Sequence, residues 1–168
     1  DLNVFVDSAW AGCPATTRRS TTGFIITLLG TTINYGSRTQ ATIALLSAEA
    51  KLCAINTGAT EALHIRSLLM ELLNINKINI KIHTDSSSGK SMATSIGSAG
   101  KAKHIELKHL FIQQLISHDF VRLIKIHTND NPADILTRYV STETLQRHLQ
   151  QAGLSIQHLN LHWSHKQT

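Results

Sequence analysis

The sequence is poor in cysteine, and it has no long run of hydrophobic residues. The two cysteines, Cys13 and Cys53, show no CxxC spacing, which argues against a zinc ribbon and against a disulfide-stabilised fold. Every apolar stretch is far shorter than the ~20 residues that a membrane-spanning helix needs, so we expect no membrane contact. The chain starts at Asp1, without a methionine or a basic-then-apolar segment, which favours a piece of a longer polypeptide over a secreted precursor.

Acidic residues are also scarce, with 11 of them against 16 lysines and arginines. The resulting net charge of +5 and pI of about 9.5 are compatible with a polyanionic partner but do not identify one. At 168 residues and 42% hydrophobic content, the chain is most simply one soluble domain with its own core.

Periodicity along the chain predicts strands and helices in a mixed order. Alternating or β-branched apolar runs predict five strands, at 2–7, 24–29, 31–35, 78–84 and 121–126. Helical spacing and capping residues predict helices at 46–73, 86–96, 105–117 and 141–153, with a short one starting near Asn131. The fold class is therefore α/β (an α+β mixed sheet), a five-stranded mixed sheet flanked by helices.

Four of the few acidic residues lie where metal ligands are expected, at the ends of predicted elements: Asp7, Glu49, Asp85 and Asp134. If the strands ending in Asp7 and Asp85 are neighbours, both carboxylates project at one sheet edge. A helix packed across the sheet would bring Glu49 beside them, and a late helix would add Asp134. Such crowding is unfavourable without cations, and two Mg²⁺ ions about 4 Å apart would neutralise it and drive in-line phosphoryl chemistry.

Five sequence blocks follow one another along residues 1–140: VDSAWAG at 6–12, RRSTTG at 18–23, LSAEA at 46–50, KHIE at 103–106 and PADILTR at 132–138. In kind and order they resemble the ribonuclease H domain of copia-type (LTR) retrotransposon Pol polyproteins. The resemblance implies a ribonuclease H-like fold over residues 1–140. A C-terminal helix at 141–153 would be appended to it, and a tail at 154–168 would be disordered or form an extra strand.

The resemblance implies an endoribonuclease that hydrolyses the RNA strand of RNA–DNA hybrids by two-metal-ion catalysis during reverse transcription. By position its metal ligands are Asp7, Glu49, Asp85 and Asp134. The implied cofactors are two Mg²⁺ ions, for which Mn²⁺ is expected to substitute. The implied partners are the hybrid and an associated reverse transcriptase. We expect a monomeric isolated domain and a cytoplasmic retroelement particle as its setting.

The chain departs from the family just after the helix glutamate. The family usually reads A-E-A-E-Y, with an acid and an aromatic residue where this chain has Lys51 and Leu52. We expect this departure to affect local packing and not a metal ligand. Related enzymes carry a mobile histidine before the last acid that helps product leave. His127 is assigned that catalytic role, with His104 as the second candidate and a plain loop residue as the alternative.

Basic and hydroxyl side chains near these blocks are candidates for substrate contact. Arginine and lysine would meet phosphates, which positions a duplex without reading its sequence, and serine hydroxyls would meet a 2′-OH. The predicted nucleic-acid-binding residues are Arg18, Arg19, Ser47, Ser86, Lys90, Lys101, Lys103 and His104. For each, the alternative is a solvated surface residue.

Two other functions remain open on this fold. One is a catalytically inactive hybrid-binding or connector domain of a reverse transcriptase, and the other is a DNA nuclease. Degenerate copies usually lose an acid, and the presence of all four predicted ligands favours the active ribonuclease.

Overall fold

The computed structural model describes residues 1–11, 18–94 and 103–154, with the side chains of residues 103–106 left out. Its strands are β1 (Leu2–Ala9), β2 (Thr21–Leu28), β3 (Thr31–Thr39), β4 (Ile80–Thr84) and β5 (Val121–Lys125). Its helices are α1 (Ser47–Leu73), α2 (Ser87–Thr94), α3 (Lys103–Ser117) and α4 (Thr142–Gln151). Two short 3-10 turns, Thr128–Asp130 and Pro132–Leu136, lie between β5 and α4.

The strands form one mixed sheet in the order β3-β2-β1-β4-β5. Strand β2 pairs antiparallel with β1 and β3, whereas β1–β4 and β4–β5 are parallel pairs. This confirms the predicted five-stranded mixed sheet. Because β1 and β4 run side by side in the same direction, with Val6 opposite Thr84, both strands end at one edge of the sheet.

Helix α1 lies across the sheet and packs tightly against β1 at Gly58. A Cβ atom at that position would lie 2.5 Å from Val6 Cγ1 and 3.1 Å from Val4 Cγ1, so only glycine allows this spacing. Seven residues earlier, Lys51 lies on the same helix face, two turns closer to the strand ends. The contact at Gly58 therefore fixes which residues of the first turns of α1 point at the edge.

The predicted short helix after Asn131 is present and is of the 3-10 type, since its bonds span three residues, as from Thr137 N to Asp134 O. Asn131 is fully buried and organises the turn. Its Oδ1 accepts from Ala133 N at 3.3 Å, while its Nδ2 donates to the Val6 carbonyl at 3.0 Å. The turn that carries Asp134 is thereby tied to β1 one residue before Asp7.

Helix α4 begins as predicted at the Ser141 cap, whose Oγ accepts from Thr144 N at 3.2 Å. It ends before Gly153, which has a positive φ of 69°. The predicted tail lies outside the described residues from 155 onward, and the domain boundaries stay predictions. Within the described ranges, none of the helices is long and apolar enough to cross a membrane.

Candidate active site

Three of the predicted acidic residues meet at the end of β1 and β4. Asp7 lies in β1, Asp85 directly follows β4, and Asp134 comes from the second 3-10 turn. Their side chains are only 5%, 12% and 6% exposed, and all three line one cavity of about 310 Å³. The structure thus brings Asp7, Asp85 and Asp134 together at the predicted sheet edge. We call them the aspartate cluster.

A lysine lies inside the aspartate cluster. The Lys51 ammonium donates to Asp7 Oδ1 and lies 3.4 Å from Asp85 Oδ1. Its side chain is 17% exposed, so most of it is withdrawn from water. Lys51 therefore ion-pairs with the two strand-end carboxylates at once.

The remaining carboxylate oxygens also have donors. Thr137 Oγ1 donates to Asp7 Oδ2, and Thr128 Oγ1 donates to Asp85 Oδ2 at 3.0 Å. Both oxygens of Asp134 are held by Arg138, with Nε at 2.7 Å from Oδ1 and Nη2 at 2.8 Å from Oδ2.

Cationic side chains offset much of the negative charge of the aspartate cluster. The hydrogen bond from Arg138 to Asp134 raises the pKa of the guanidinium, and the charges of Asp134, Asp7 and Asp85 add to that rise against the opposing effect of burial. Two cations, Lys51 and Arg138, thus offset two of the three carboxylate charges. Lys125 adds a third cation nearby, because its ammonium donates to the backbone carbonyl of Asp85.

Glu49 does not join the aspartate cluster, and this corrects the prediction that α1 would bring it beside Asp7. Its Oε2 accepts from the backbone N–H groups of Leu45 and Leu46, at 2.7 and 3.4 Å, and so caps the N-terminus of α1. Residues 49 and 51 are about 200° apart around a helix, so only one of them can face the sheet edge. In this chain that residue is Lys51. The departure at position 51 therefore affects the site itself, and not only local packing.

The site does not fit a pair of Mg²⁺ ions. Every oxygen of the aspartate cluster already accepts from a protein donor, and Lys51 lies where a cation would bridge Asp7 and Asp85. Among the residues that the structure describes, no group of three or more acidic, histidine or cysteine side chains is arranged to hold a metal ion. Two dications would also lie beside an ammonium group, which like-charge repulsion disfavours.

His127 is exposed and precedes the first 3-10 turn, where its Nδ1 accepts from Asn129 N at 3.2 Å. The next residue, Thr128, contacts Asp85. His127 is therefore one residue removed from a contact with the aspartate cluster, and its catalytic role stays a prediction.

The predicted substrate-contact residues have different surroundings. Arg18, Arg19 and Ser47 are exposed and Lys90 is half-buried, so these four are available at the surface. Ser86 is buried and its Oγ accepts from Gly89 N at 2.9 Å at the start of α2, and its contact with nucleic acid stays a prediction. Lys101 lies outside the described residues, as do the side chains of Lys103 and His104.

Four side chains that complete the site were not predicted from the sequence: Lys51, Thr128, Thr137 and Arg138. Two signals were present in the sequence. Arg138 follows Asp134 by four residues within the PADILTR block, a spacing that favours an ion pair on one helical face. Lys51 precedes Gly58 by two helical turns, so a close approach of α1 at Gly58 predicts that Lys51 faces the same sheet.

Comparisons with known proteins agree with the resemblance. The chain is similar to the retrovirus-related Pol polyprotein from transposon TNT 1-94 of Nicotiana tabacum, with 29% identity over 139 residues that cover 83% of this chain and 10% of the polyprotein. It is also similar to that from transposon RE1 of Arabidopsis thaliana, with 26% identity over 155 residues, or 92% of this chain and 10% of the polyprotein. The chain thus spans about a tenth of the curated relatives it matches. These relatives are copia-type, which confirms the resemblance. No protein-family model matches the chain.

Solved structures with the same architecture are ribonucleases H. LC11-RNase H1, isolated from compost, superposes with a TM-score of 0.59 at 15% identity, covering 81% of this chain and 91% of that one. Its complex with an RNA/DNA hybrid gives a TM-score of 0.58 at 14% identity, with coverages of 81% and 93%. The N-terminal RNase H domain of Rv2228c from Mycobacterium tuberculosis gives 0.59 at 12% identity, with coverages of 90% and 97%. The fold is therefore the predicted ribonuclease H fold.

Proposed function

We propose that this chain is the ribonuclease H-type domain of a retrotransposon Pol polyprotein, and that it binds RNA–DNA hybrid at the edge where the aspartate cluster lies. The observation that carries the proposal is the convergence of Asp7, Asp85 and Asp134 at the ends of β1 and β4 in this fold. A ribonuclease H1 of the same fold has been solved with an RNA/DNA hybrid, which supports this choice of ligand.

The charges at the edge support binding that needs no metal. A bare trio of carboxylates would repel the phosphates of a duplex. Here Lys51 and Arg138 offset two of those charges, and the exposed Arg18 and Arg19 add positive charge to the surface. A phosphate backbone can therefore approach this edge through direct contacts with cationic side chains. Such contacts would hold the duplex in register without reading its sequence.

Hydrolysis of the RNA strand is the second candidate function, and the retention of three clustered aspartates favours it. It would require Lys51 to leave the cluster, since the ion pairs seen here leave no carboxylate oxygen free of a protein donor. A role beside an associated reverse transcriptase, within a cytoplasmic particle and as a single copy, belongs to the same proposal.

Binding and cleavage are separated by two measurements on the same protein. Fluorescence anisotropy with labelled RNA–DNA hybrid, double-stranded RNA and duplex DNA is expected to show the tightest binding for the hybrid, in EDTA as well as in Mg²⁺. Equal affinity for all three duplexes would contradict the proposal.

Gel analysis of the same labelled duplexes, with Mg²⁺ or Mn²⁺, then decides between the two candidate functions. Binding of hybrid without cleavage supports the first. Cleavage of the RNA strand that is lost in Asp85→Asn supports the second, and preferential cutting of duplex DNA would point to a DNA nuclease on the same fold.

A further inference from the structure

The geometry points to Lys51 as a built-in cation that takes the place of a metal ion between Asp7 and Asp85. In this chain the site is consequently held in a metal-free state. The inference rests on the proposed function, because it concerns the sheet edge at which hybrid is proposed to bind. It adds that one side chain, at one helical position, decides whether this edge holds a divalent metal.

The direction of Lys51 is set by packing on two sides. Gly58, two turns further along α1, holds the helix against Val4 and Val6 of β1. On the other side, a Cβ atom at Gly89 of α2 would lie 2.9 Å from Lys51 Cβ, so α2 packs closely against the start of the lysine side chain. The packing of α1 therefore directs the side chain at position 51 toward the ends of β1 and β4, whichever residue occupies that position.

The ammonium contacts the two carboxylates from which a shared metal would take its ligands. Lys51 donates to Asp7 Oδ1 and lies 3.4 Å from Asp85 Oδ1, and the second oxygens of both residues are held by Thr137 and Thr128. A metal at this point would have to displace the ammonium and leave it beside a dication. Because Lys51 is 17% exposed, little solvent is available there to screen that repulsion.

An acidic residue at position 51 would attract a divalent cation to Asp7 and Asp85, where the Lys51 ammonium repels one. Glutamate would exchange one positive for one negative charge and would direct a fourth carboxylate at Asp7 and Asp85. Carboxylate oxygens are the ligands that Mg²⁺ and Mn²⁺ prefer, and the added like charge would favour a bound cation. Glu49 cannot supply this carboxylate, because it caps α1 from the opposite face.

Metal affinity, and not cleavage, is the direct test. Mn²⁺ binding to the full chain is measured by electron paramagnetic resonance, and Mg²⁺ binding by calorimetry, for the wild type and for Lys51→Glu. We expect the variant to bind either ion at least tenfold more tightly than the wild type. Lys77→Glu is the matched control, because it makes the same charge change at an exposed residue just before β4, away from the strand ends, and it should leave the affinity unchanged.

A neutral variant guards against loss of folding in Lys51→Glu, with folding checked by circular dichroism. Lys51→Met removes the ammonium and keeps the length of the side chain, so Mn²⁺ should bind several-fold more tightly than to the wild type. Wild-type protein that binds Mn²⁺ as tightly as both variants would overturn the inference. Hybrid binding by the wild type in EDTA is measured alongside, and its absence would contradict the proposed function while the metal affinities still decide the role of Lys51.

Discussion

At the scale of single residues, the aspartate cluster is an ion-pair network in which each carboxylate has its own donors. Asp7 is bonded to Lys51 and Thr137, Asp85 to Lys51 and Thr128, and Asp134 to Arg138. Buried ion pairs of this kind are costly to break, because the remaining partner keeps its charge without compensation. The paired carboxylates therefore stabilise the folded, metal-free protein, whereas a cluster of unpaired carboxylates would destabilise it.

The substitution Asp7→Asn tests whether the aspartate cluster stabilises or destabilises the metal-free protein. In a bare cluster the substitution would relieve repulsion and stabilise the metal-free protein. Here it weakens the pairing of Lys51, and we expect the free energy of unfolding in EDTA to fall by about 1–3 kcal/mol. Urea titration measures the difference, and a variant more stable than the wild type would show that Lys51 does not neutralise the cluster.

His83, on β4, provides a pH-dependent contribution to stability. Its ring stacks on Phe5 with centroids 4.7 Å apart, and its Nε2 lies 3.1 Å from Asn3 Oδ1. Burial, and then the charge of Lys81, lowers its pKa below the usual value of 6.5. The unfolded chain therefore binds a proton here before the folded chain does. The contribution of neutral His83 is present above about pH 6.5 and is lost as the pH falls below that value.

We expect the wild type to lose more stability than His83→Gln between pH 7.5 and pH 5.5. Glutamine keeps a donor for Asn3 and does not titrate, so the difference between the two proteins isolates this residue from the other nine histidines. Urea titrations at both pH values provide the measurement. Parallel losses in the two proteins would contradict the lowered pKa.

At the scale of elements, the rotation of α1 about its own axis decides the chemistry of the site. Gly58 sets that rotation, because its missing Cβ lets the helix contact Val6. Gly58→Ala gains about 1 kcal/mol in helix propensity, but overpacking costs typically 1–3 kcal/mol. We expect a net loss of up to about 2 kcal/mol in the free energy of unfolding by urea titration. Ser67→Ala, on an exposed part of α1, is the control and should be neutral or slightly stabilising.

The sequence predicted where strands end, but it did not predict which face of α1 packs against the sheet. Asp7 and Asp85 were predicted correctly at one edge, because apolar alternation marks the ends of β1 and β4. Glu49 and Lys51 both lie in the first turns of α1, and the local sequence does not distinguish which of them faces the sheet. That choice depends on the distant contact between Gly58 and β1, which exists only in the packed fold.

The donors of the aspartate cluster were missed for a similar reason. Thr128 and Thr137 have ordinary loop and turn contexts in the sequence, and their hydroxyls become significant only because two 3-10 turns bring them to Asp85 and Asp7. Asp134 was predicted from its motif, and the short helix predicted near Asn131 carries it as a 3-10 turn. Motifs therefore located the acids, and packing determined their partners.

At the scale of the whole molecule, α4 connects the far edge of the sheet with the loops beside the aspartate cluster. Thr32 Oγ1 donates to the Ala152 carbonyl at 2.5 Å, and Gln151 Nε2 lies 3.5 Å from the Asn129 carbonyl. His148 is 1% exposed and lines a second cavity together with Asp134. The helix is thus integrated with the fold over residues 1–140 and supports the turn that holds Asp134.

We therefore expect a chain ending at residue 140 to be less stable than one ending at residue 154. The shorter chain loses the hydrogen bond to Thr32, which contributes about 1 kcal/mol, together with the burial of His148 and its neighbours. A total of about 2 kcal/mol or more corresponds to a fall in Tm of roughly 4–8 °C for a domain of this size. Circular dichroism of both chains provides the comparison. Equal melting temperatures would instead support an independent unit that ends at residue 140, with α4 as an appendage that contributes nothing to its stability.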